Sequence, residues 1–238
     1  MRTLAIDTAG ISAGVSLAVD GQIRYEAFHN TGLNHSLVLL PAIEAACRHA
    51  GVALAEIDLF ALTIGPGSFT GLRIAAGTLK GLALAVGKPV VGVSTLDSLA
   101  YPLTTSPDEV LCAMLDAQRE QVYAAAYRNG VDGRRERIVP ERVADLDELV
   151  ASLPNGPILF VGDGAERHRD MLAARSSALV RFAGPLYRHV RAAAVALLGE
   201  ERYRAGESLD VVRFSPRYLR VSEAERRHSS PRESTKND

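Results

Sequence analysis

Two aspartates are the best-placed polar groups in this chain of 238 residues. Asp7 closes the apolar run Thr3-Leu4-Ala5-Ile6-Asp7, and Asp116 closes a second apolar run that starts at Val110. Each reads as a strand ending in a carboxylate that faces a loop. In an ATP clamp built from two such halves, the loops hold phosphates through backbone N–H groups and the carboxylates hold Mg²⁺. The competing reading is local, with each Asp bonding a backbone N–H of its own turn. Phosphate cradling needs glycines that bring N–H groups close. Asp7-Thr8-Ala9-Gly10 has a single glycine and Asp116-Ala117-Gln118-Arg119 has none, so both loops are poor for it.

Gly65-Pro66-Gly67-Ser68 stands before a helix, and helix N-termini attract anions. It is not a phosphate-binding P-loop, which needs Lys and Ser/Thr after its last glycine, whereas Phe69 follows Ser68 here. A tight strand-to-helix turn explains it as well. The six histidines include no pair at i, i+4 and no carboxylate pattern joins them, so no metal site is expected. Neither a G-x-S-x-G elbow nor a Cys–His signature is expected to supply a nucleophile. His35, on the first turn of a helix, reads as a capping or interface residue.

The elements that position these groups follow from periodicity and turn chemistry. After the first strand come two alternating runs, 15–19 and 23–28, around the hairpin turn Asp20-Gly21. A helix starts at Asn34 or Ser36 and ends at Ala50-Gly51, with Pro41 inside it, where a kink is expected. A strand over 57–64 leads into the segment that organises the chain, IGPGSFTGLRIAAGTLKGLALAVGKP. Ser68 or Thr70 caps that helix, and Gly87 and Pro89 stop it. Arg73 and Lys80 are its only charges. Leu72, Ala75, Ala76, Leu79, Leu82, Ala83 and Val86 supply one apolar face, yet Ile74, Leu84 and Ala85 lie off it. Gly71, Gly77 and Gly81 sit inside, each costing about 0.8–1 kcal/mol relative to Ala. A helix apolar on nearly all sides is covered on more than one side, by its own domain or by a partner.

A buried strand over 90–93, a short helix capped by Ser94-Thr95, and the strands 110–116 and 121–127 follow. LAIDTAGISAGVSLAV and CAMLDAQREQVYAAAY both read strand, Asp, loop, strand, a weak internal repeat implying two related halves. Further on, 129–137 reads as a polar, basic loop. The stretches 146–153, 166–174 and 190–205 read as helices and 158–161 as a strand. Strands alternating with helices predict an α/β architecture.

Net charge is −1 and the pI about 6.6, so no global field recruits nucleic acid. Cys47 and Cys112 lack motif spacing, and Met1-Arg2 runs straight into a strand without a signal-peptide pattern. Apart from the glycine-rich helix, which Arg73 and Lys80 interrupt, no run reaches the length of a membrane span. A cytoplasmic protein is expected. Arg213, Arg217, Arg220, Arg226, Arg227 and Arg232 can meet RNA phosphates, but Glu223, Glu225 and Glu233 intersperse them, and a solvated tail from 222 is the default.

LAIDTA, His35-Ser36 with Leu40-Pro41, GPGSFTGLRIAAGTLKGLALA, Ser94-Thr95-Leu96, the Asp116–Tyr123 stretch and Pro216-Arg217-Tyr218-Leu219-Arg220 together resemble the TsaB (YeaZ) family, through nearly the whole chain. The resemblance implies the actin-like/Hsp70-like ATPase (ribonuclease H-like) fold in two lobes, the second degenerate: 1–103, 104–221, and a tail at 222–238. It implies a non-catalytic subunit that binds and activates TsaD, which forms N6-threonylcarbamoyladenosine next to the anticodon of ANN-decoding tRNAs. TsaE, an ATPase, cycles that complex, and tRNA is met indirectly.

Binding to TsaD through a bundle of two helices from each protein is implied, as is self-association through the same surface. Carried onto this sequence, the bundle would bury Leu37, Leu40, Ile74, Leu82 and the glycines Gly71, Gly77 and Gly81. His35 and Thr78 would lie in the same contact, with Arg73, Lys80 and Arg119 at its rim. Nucleotide is implied only as ATP or ADP at the complex interface, with Asp7, Thr8 and Asp116 its weak candidates. An independent ATP-dependent enzyme or a glycoprotease-type peptidase is the alternative. One departure stands out: the family pattern D-A-R-x-x-E-V-Y has Gln118 and Gln121 here in place of its Arg and Glu, leaving Arg119 as the nearby cation.

Overall fold

The computed structural model describes residues 1–32, 34–130, 135–176 and 179–219. The tail expected from 222 lies outside the described residues, as do Arg220, Arg226, Arg227 and Arg232 and positions 131–134 of the basic loop.

The first half forms a five-stranded sheet from β1 (Arg2–Asp7), β2 (Ala13–Val19), β3 (Gln22–His29), β4 (Leu59–Thr63) and β5 (Val90–Val93), in the order β3-β2-β1-β4-β5. Asp20 and Gly21 both take positive φ, 51° and 76°, as the hairpin turn requires. Helix α1 (His35–Ala50) connects β3 to β4, and α2 (Phe69–Val86) connects β4 to β5. Asn34 caps α1 by accepting the Ser36 N–H, and Ser68 caps α2 by accepting the Gly71 N–H. Gly51 and Gly87 close the two helices in the left-handed conformation, φ 64° and 66°. Helix α1 continues past Pro41, which leaves the Leu37 carbonyl without its helical donor.

The second half repeats the first strand for strand. β6 (Val110–Asp116), β7 (Gln121–Asn129), β8 (Arg135–Asp145), β9 (Ile158–Val161) and β10 (Val180–Phe182) assemble as β8-β7-β6-β9-β10. The internal repeat is therefore real in three dimensions. α4 (Leu146–Ser152) takes the place of α1. α5 (Asp163–Arg167) and α6 (Arg169–Arg175) take the place of α2. The single helix expected over 166–174 is broken at His168, whose φ and ψ of −107° and 17° leave the helical region. The basic loop expected over 129–137 is corrected as well, because β8 begins at Arg135. Its sequence, RERIVPERVAD, carries charges and Pro140 because β8 is an edge strand, where polar residues are tolerated.

The last helix of each half crosses to the other sheet. α3 (Thr95–Ala100), following β5, packs on β6, whereas α7 (Ala192–Arg204), following β10, packs on β1, β2, β4 and β5. α7, which lies within the stretch 104–221, thus covers the first sheet. Between the sheets lies an inner core rich in small residues, Ala5, Ala18, Ala61, Ala113 and Ala125, with Leu96, Leu99 and Val195 from the crossing helices. Outside the first sheet, Leu4, Ile6, Phe60 and Leu62 pack against α1 and α2. Outside the second, Met114, Phe160 and Leu172 belong to a third core. By length and composition α2 can cross a bilayer, but its Leu72, Ala75, Ala76, Leu79 and Ala83 side is buried on the sheet.

Candidate docking face and the degenerate cleft

Strand β1 ends in Asp7, only 1% exposed. Its Oδ1 accepts the Thr63 hydroxyl at 2.7 Å and the Ala9 N–H at 3.2 Å. Burial pushes this carboxyl up from its ordinary 3.8 to about 6, with the bonds from Thr63 and Ala9 pulling the other way. The β1–β2 loop is closed over by the start of α2. The Thr8 hydroxyl donates to the Gly71 carbonyl at 2.7 Å, and the Ser68 N–H donates to the Ala9 carbonyl at 2.7 Å. A Cβ on Gly67 would lie 2.3 Å from Ala9 O, and one on Gly71 would lie 2.0 Å from Thr8 O. Loop carbonyls point at the first turn of α2, the wrong polarity for an anionic phosphate. The anion-site reading of Gly65–Ser68 gives way to the tight-turn reading.

Asp116 ends β6 in the same way. Its Oδ1 accepts the Gln118 N–H at 3.0 Å, its Oδ2 pairs with Arg167 at 2.6 Å, and its own N–H donates to Asp163 Oδ1 at 3.1 Å. In both halves, then, the aspartate bonds the N–H two residues on, which is the local Asx reading. Gln118, Arg119 and Glu120 all adopt left-handed backbone, φ 61°, 54° and 61°. Asp7, Thr8 and Asp116 are all engaged within the chain.

One pattern escapes a reading of elbows alone. Gly10-Ile11-Ser12-Ala13-Gly14 matches G-x-S-x-G in letters, but it joins two antiparallel strands and Ser12 is buried, so it presents no nucleophile.

Helices α1 and α2 both start beside this loop. His35 Nε2 lies 3.1 Å from Gly10 O, and Thr8 bonds Gly71. Parallel β1 and β4 set that common end. The two helices leave considerable apolar surface bare: Leu37 is 66% exposed, Leu40 49% and Leu84 57%, with Ile11 of the loop at 65%. On α2 the exposed residues Arg73, Gly77, Gly81 and Ala85 follow one another at i, i+4. Nothing stands within 4 Å of where a Cβ on Gly77 or Gly81 would be.

Among the expected contact residues the structure separates three groups. Leu37, Leu40, Arg73, Gly77 and Gly81 are exposed. Ile74 and Leu82 are half-buried against the chain's own outer core, and Thr78 is also half-buried. Gly71 is a correction: it is buried on Thr8 and belongs to the interior. Lys80 is half-buried, its ammonium donating to Val212 O at 3.1 Å and lying 4.6 Å from the Phe214 ring centre. Arg119 is carried by the β6–β7 loop of the second lobe. Leu84 and Ala85, which lie off the buried face of α2 and were not among the expected contact residues, are exposed as well.

A cavity of about 850 Å³ opens between α3, β7, β8 and α7, with Asp97, Tyr101, Tyr127, Arg135, Arg137 and Glu201 in its wall. These groups bond one another or the backbone. Tyr101 donates to Glu201 and Tyr127 to Asp97, both at 2.8 Å, and Arg135 donates to the Ala100 and Leu103 carbonyls.

A family model described as TsaD, tRNA N6-adenosine threonylcarbamoyltransferase, matches residues 29–228. The tRNA threonylcarbamoyladenosine biosynthesis protein TsaB of Bacillus subtilis is 31% identical over 232 residues, covering 94% of this chain and 96% of that protein. YeaZ from Pseudomonas aeruginosa superposes with a TM-score of 0.78 at 27% identity, over 92% of this chain and 99% of that one. The ethanolamine utilization protein EutJ from Carboxydothermus hydrogenoformans, at 12% identity and TM-score 0.51, covers 84% of this chain and 90% of its own, a likeness of fold alone. The duplicated lobes with crossing helices have the actin-like ATPase fold. Over nearly its full length, in sequence and in structure, the chain belongs to the TsaB (YeaZ) family.

Proposed function

We propose that this chain is a non-catalytic subunit in the formation of N6-threonylcarbamoyladenosine at the adenosine next to the anticodon of ANN-decoding tRNAs. It docks on a TsaD-type transferase through the bare faces of α1 and α2 and raises that enzyme's activity. The observation that carries this reading is the exposure of Leu37 and Leu40 on α1 and of Leu84 on α2, together with the open space over Gly77 and Gly81. Large apolar side chains left bare on two neighbouring helices support an interaction site, and glycines let a partner helix come close. Arg73 and Arg119 rim the contact, and without its partner the chain self-associates through the same face. TsaE joins the assembled pair. The engaged Asp7, Thr8 and Asp116 support a role without nucleotide chemistry of its own.

Reconstitution tests this reading. Purified transferase and TsaE, with tRNA, threonylcarbamoyl-AMP and ATP, form the modified base efficiently only when this chain is added. The chain alone turns over neither ATP nor peptide. Full modification in its absence would overturn the assignment.

A further inference from the structure

Residues 209–219, after α7, run back along the first lobe. Leu209 lies on the free edge of β5, its N–H donating to Val90 O at 2.8 Å. The segment turns at Asp210, whose Oδ1 accepts the Val212 and Arg213 N–H groups at 3.0 and 3.1 Å. It then runs along α2, with Leu209, Val211 and Phe214 packed on the outer core and Lys80 held on Val212 O and the Phe214 ring. The Arg217 N–H donates to Ile64 O at 2.7 Å, and its carbonyl lies 2.3 Å from where a Cβ on Gly65 would be. The Tyr218 ring rests on Phe69, 4.7 Å between centres, and Arg73 lies 5.2 Å from the same Phe69 centre.

The Arg217 side chain reaches the other lobe. Its Nη2 pairs with Glu141 Oε2 on β8 at 2.8 Å. The Glu141 side chain is only 2% exposed and also receives the Ser94 hydroxyl and Arg137 Nη2, the latter at 3.1 Å. Arg137 continues to Asp97 at 2.5 Å, and Asp97 to Arg202 at 2.8 Å. Charges therefore alternate from Arg217 through Glu141, Arg137 and Asp97 to Arg202, linking the segment to β8, α3 and α7.

We propose that residues 209–219 form a releasable strap that holds α2 in its docking pose, and that Glu141 of the second lobe is the catch for it. The proposal deepens the docking reading above and rests on it. The strap meets Lys80 and Phe69 on α2 but leaves the Gly77–Gly81 stripe open, so it steadies the helix without covering the face. Main-chain bonds near its two ends, at Leu209 and Arg217, fasten it, and a segment held this way opens locally well before the fold does. A carboxylate as buried as Glu141 is stable only with its donors in place, which ties the strap to the second lobe.

Native-state hydrogen exchange on the full chain, with calorimetric titration of the transferase, tests this. Arg217→Met keeps the stem of a half-exposed side chain and removes its charge. Glu141→Gln weakens the catch from the other side, should the first variant fail to fold. Both are expected to speed exchange of the Leu209 and Arg217 amides by about 5- to 30-fold, leaving Ile6 and Cys112 unchanged. Both are expected to weaken docking about three- to tenfold through lost preorganisation. Unaltered exchange at 209 and 217 in both variants overturns the strap, and faster exchange with unaltered affinity overturns its role in docking. Failure of the wild-type chain to bind the transferase would sink the docking reading itself, a result separate from either.

Discussion

Gly199 of α7 faces Ala61 of β4 so closely that a Cβ at 199 would lie 2.6 Å from the alanine methyl. Gly14 meets Ala192 in the same way, at 3.1 Å. Between them these two contacts bring the last helix down onto the first sheet. Gly→Ala inside a helix ordinarily stabilises by about 0.5–1 kcal/mol. At 199 the sign reverses, because the added methyl meets a side chain that cannot swing away. Gly199→Ala is expected to destabilise by about 1–3 kcal/mol, read from the urea midpoint at constant slope.

Gly77 and Gly81 behave oppositely. Both are exposed with open space over them. Replacing each by Ala is expected to raise stability by about 0.5–1 kcal/mol while weakening docking on the transferase at least tenfold, because the partner's backbone loses its close approach. Thermal melts and titrations of the same samples decide it. Variants more stable but unimpaired in binding would mean that α2 docks through another face.

Leu84 is the sharpest single test of the docking face. Leu84→Asp is expected to shift stability by no more than about 0.5 kcal/mol, since the side chain is mostly in water already. Co-elution with the transferase on gel filtration is expected to be lost. Ile74→Asp is a poorer probe, because Ile74 also packs on the outer core and its loss unsettles the lobe.

Asp7 predicts a pH slope. Its folded carboxyl titrates near 6 against an ordinary 3.8, so the folded state holds the proton more tightly than the unfolded chain. The associated stability is fully present below the unfolded value and is lost as pH rises through about 6, on the order of 2–3 kcal/mol in all. Asp7→Asn keeps an oxygen for both Thr63 and Ala9, which share Oδ1. The variant is expected to be as stable as wild type or more so at pH 8, and to lose the fall between pH 4 and 6 in denaturation midpoints. A parallel fall in both proteins would assign the slope to other groups.

Much of this architecture was legible in residues. The Asp7 and Asp116 runs, the Asp20-Gly21 turn, the Asn34 and Ser68 caps and the surplus of apolar surface on two helices all follow from local chemistry. So did the Asx alternative for both aspartates, and the poverty of the loops in glycine. Gly71 could have been told apart from Gly77 and Gly81 by phase. It stands four before Ala75 on the buried side, whereas the other two continue from Arg73 on the open side. Strand β8 was hidden because an edge strand has no need of apolar alternation, and its Pro140 falls where the register with β7 shifts. Nothing near Lys80 in sequence announces Val212 or Phe214, and nothing near β4 announces Gly199. Those pairings arise only when distant segments close on one another.

The exchange of final helices makes the halves hostages to each other. A gene shortened to the first five strands and α1–α3 would encode a sheet whose inner surface, with Ala5, Ala18 and Ala61, lies naked to solvent. The first half could not shed its duplicate without losing its own roof, which is reason enough for the chain to have kept both jaws of its clamp.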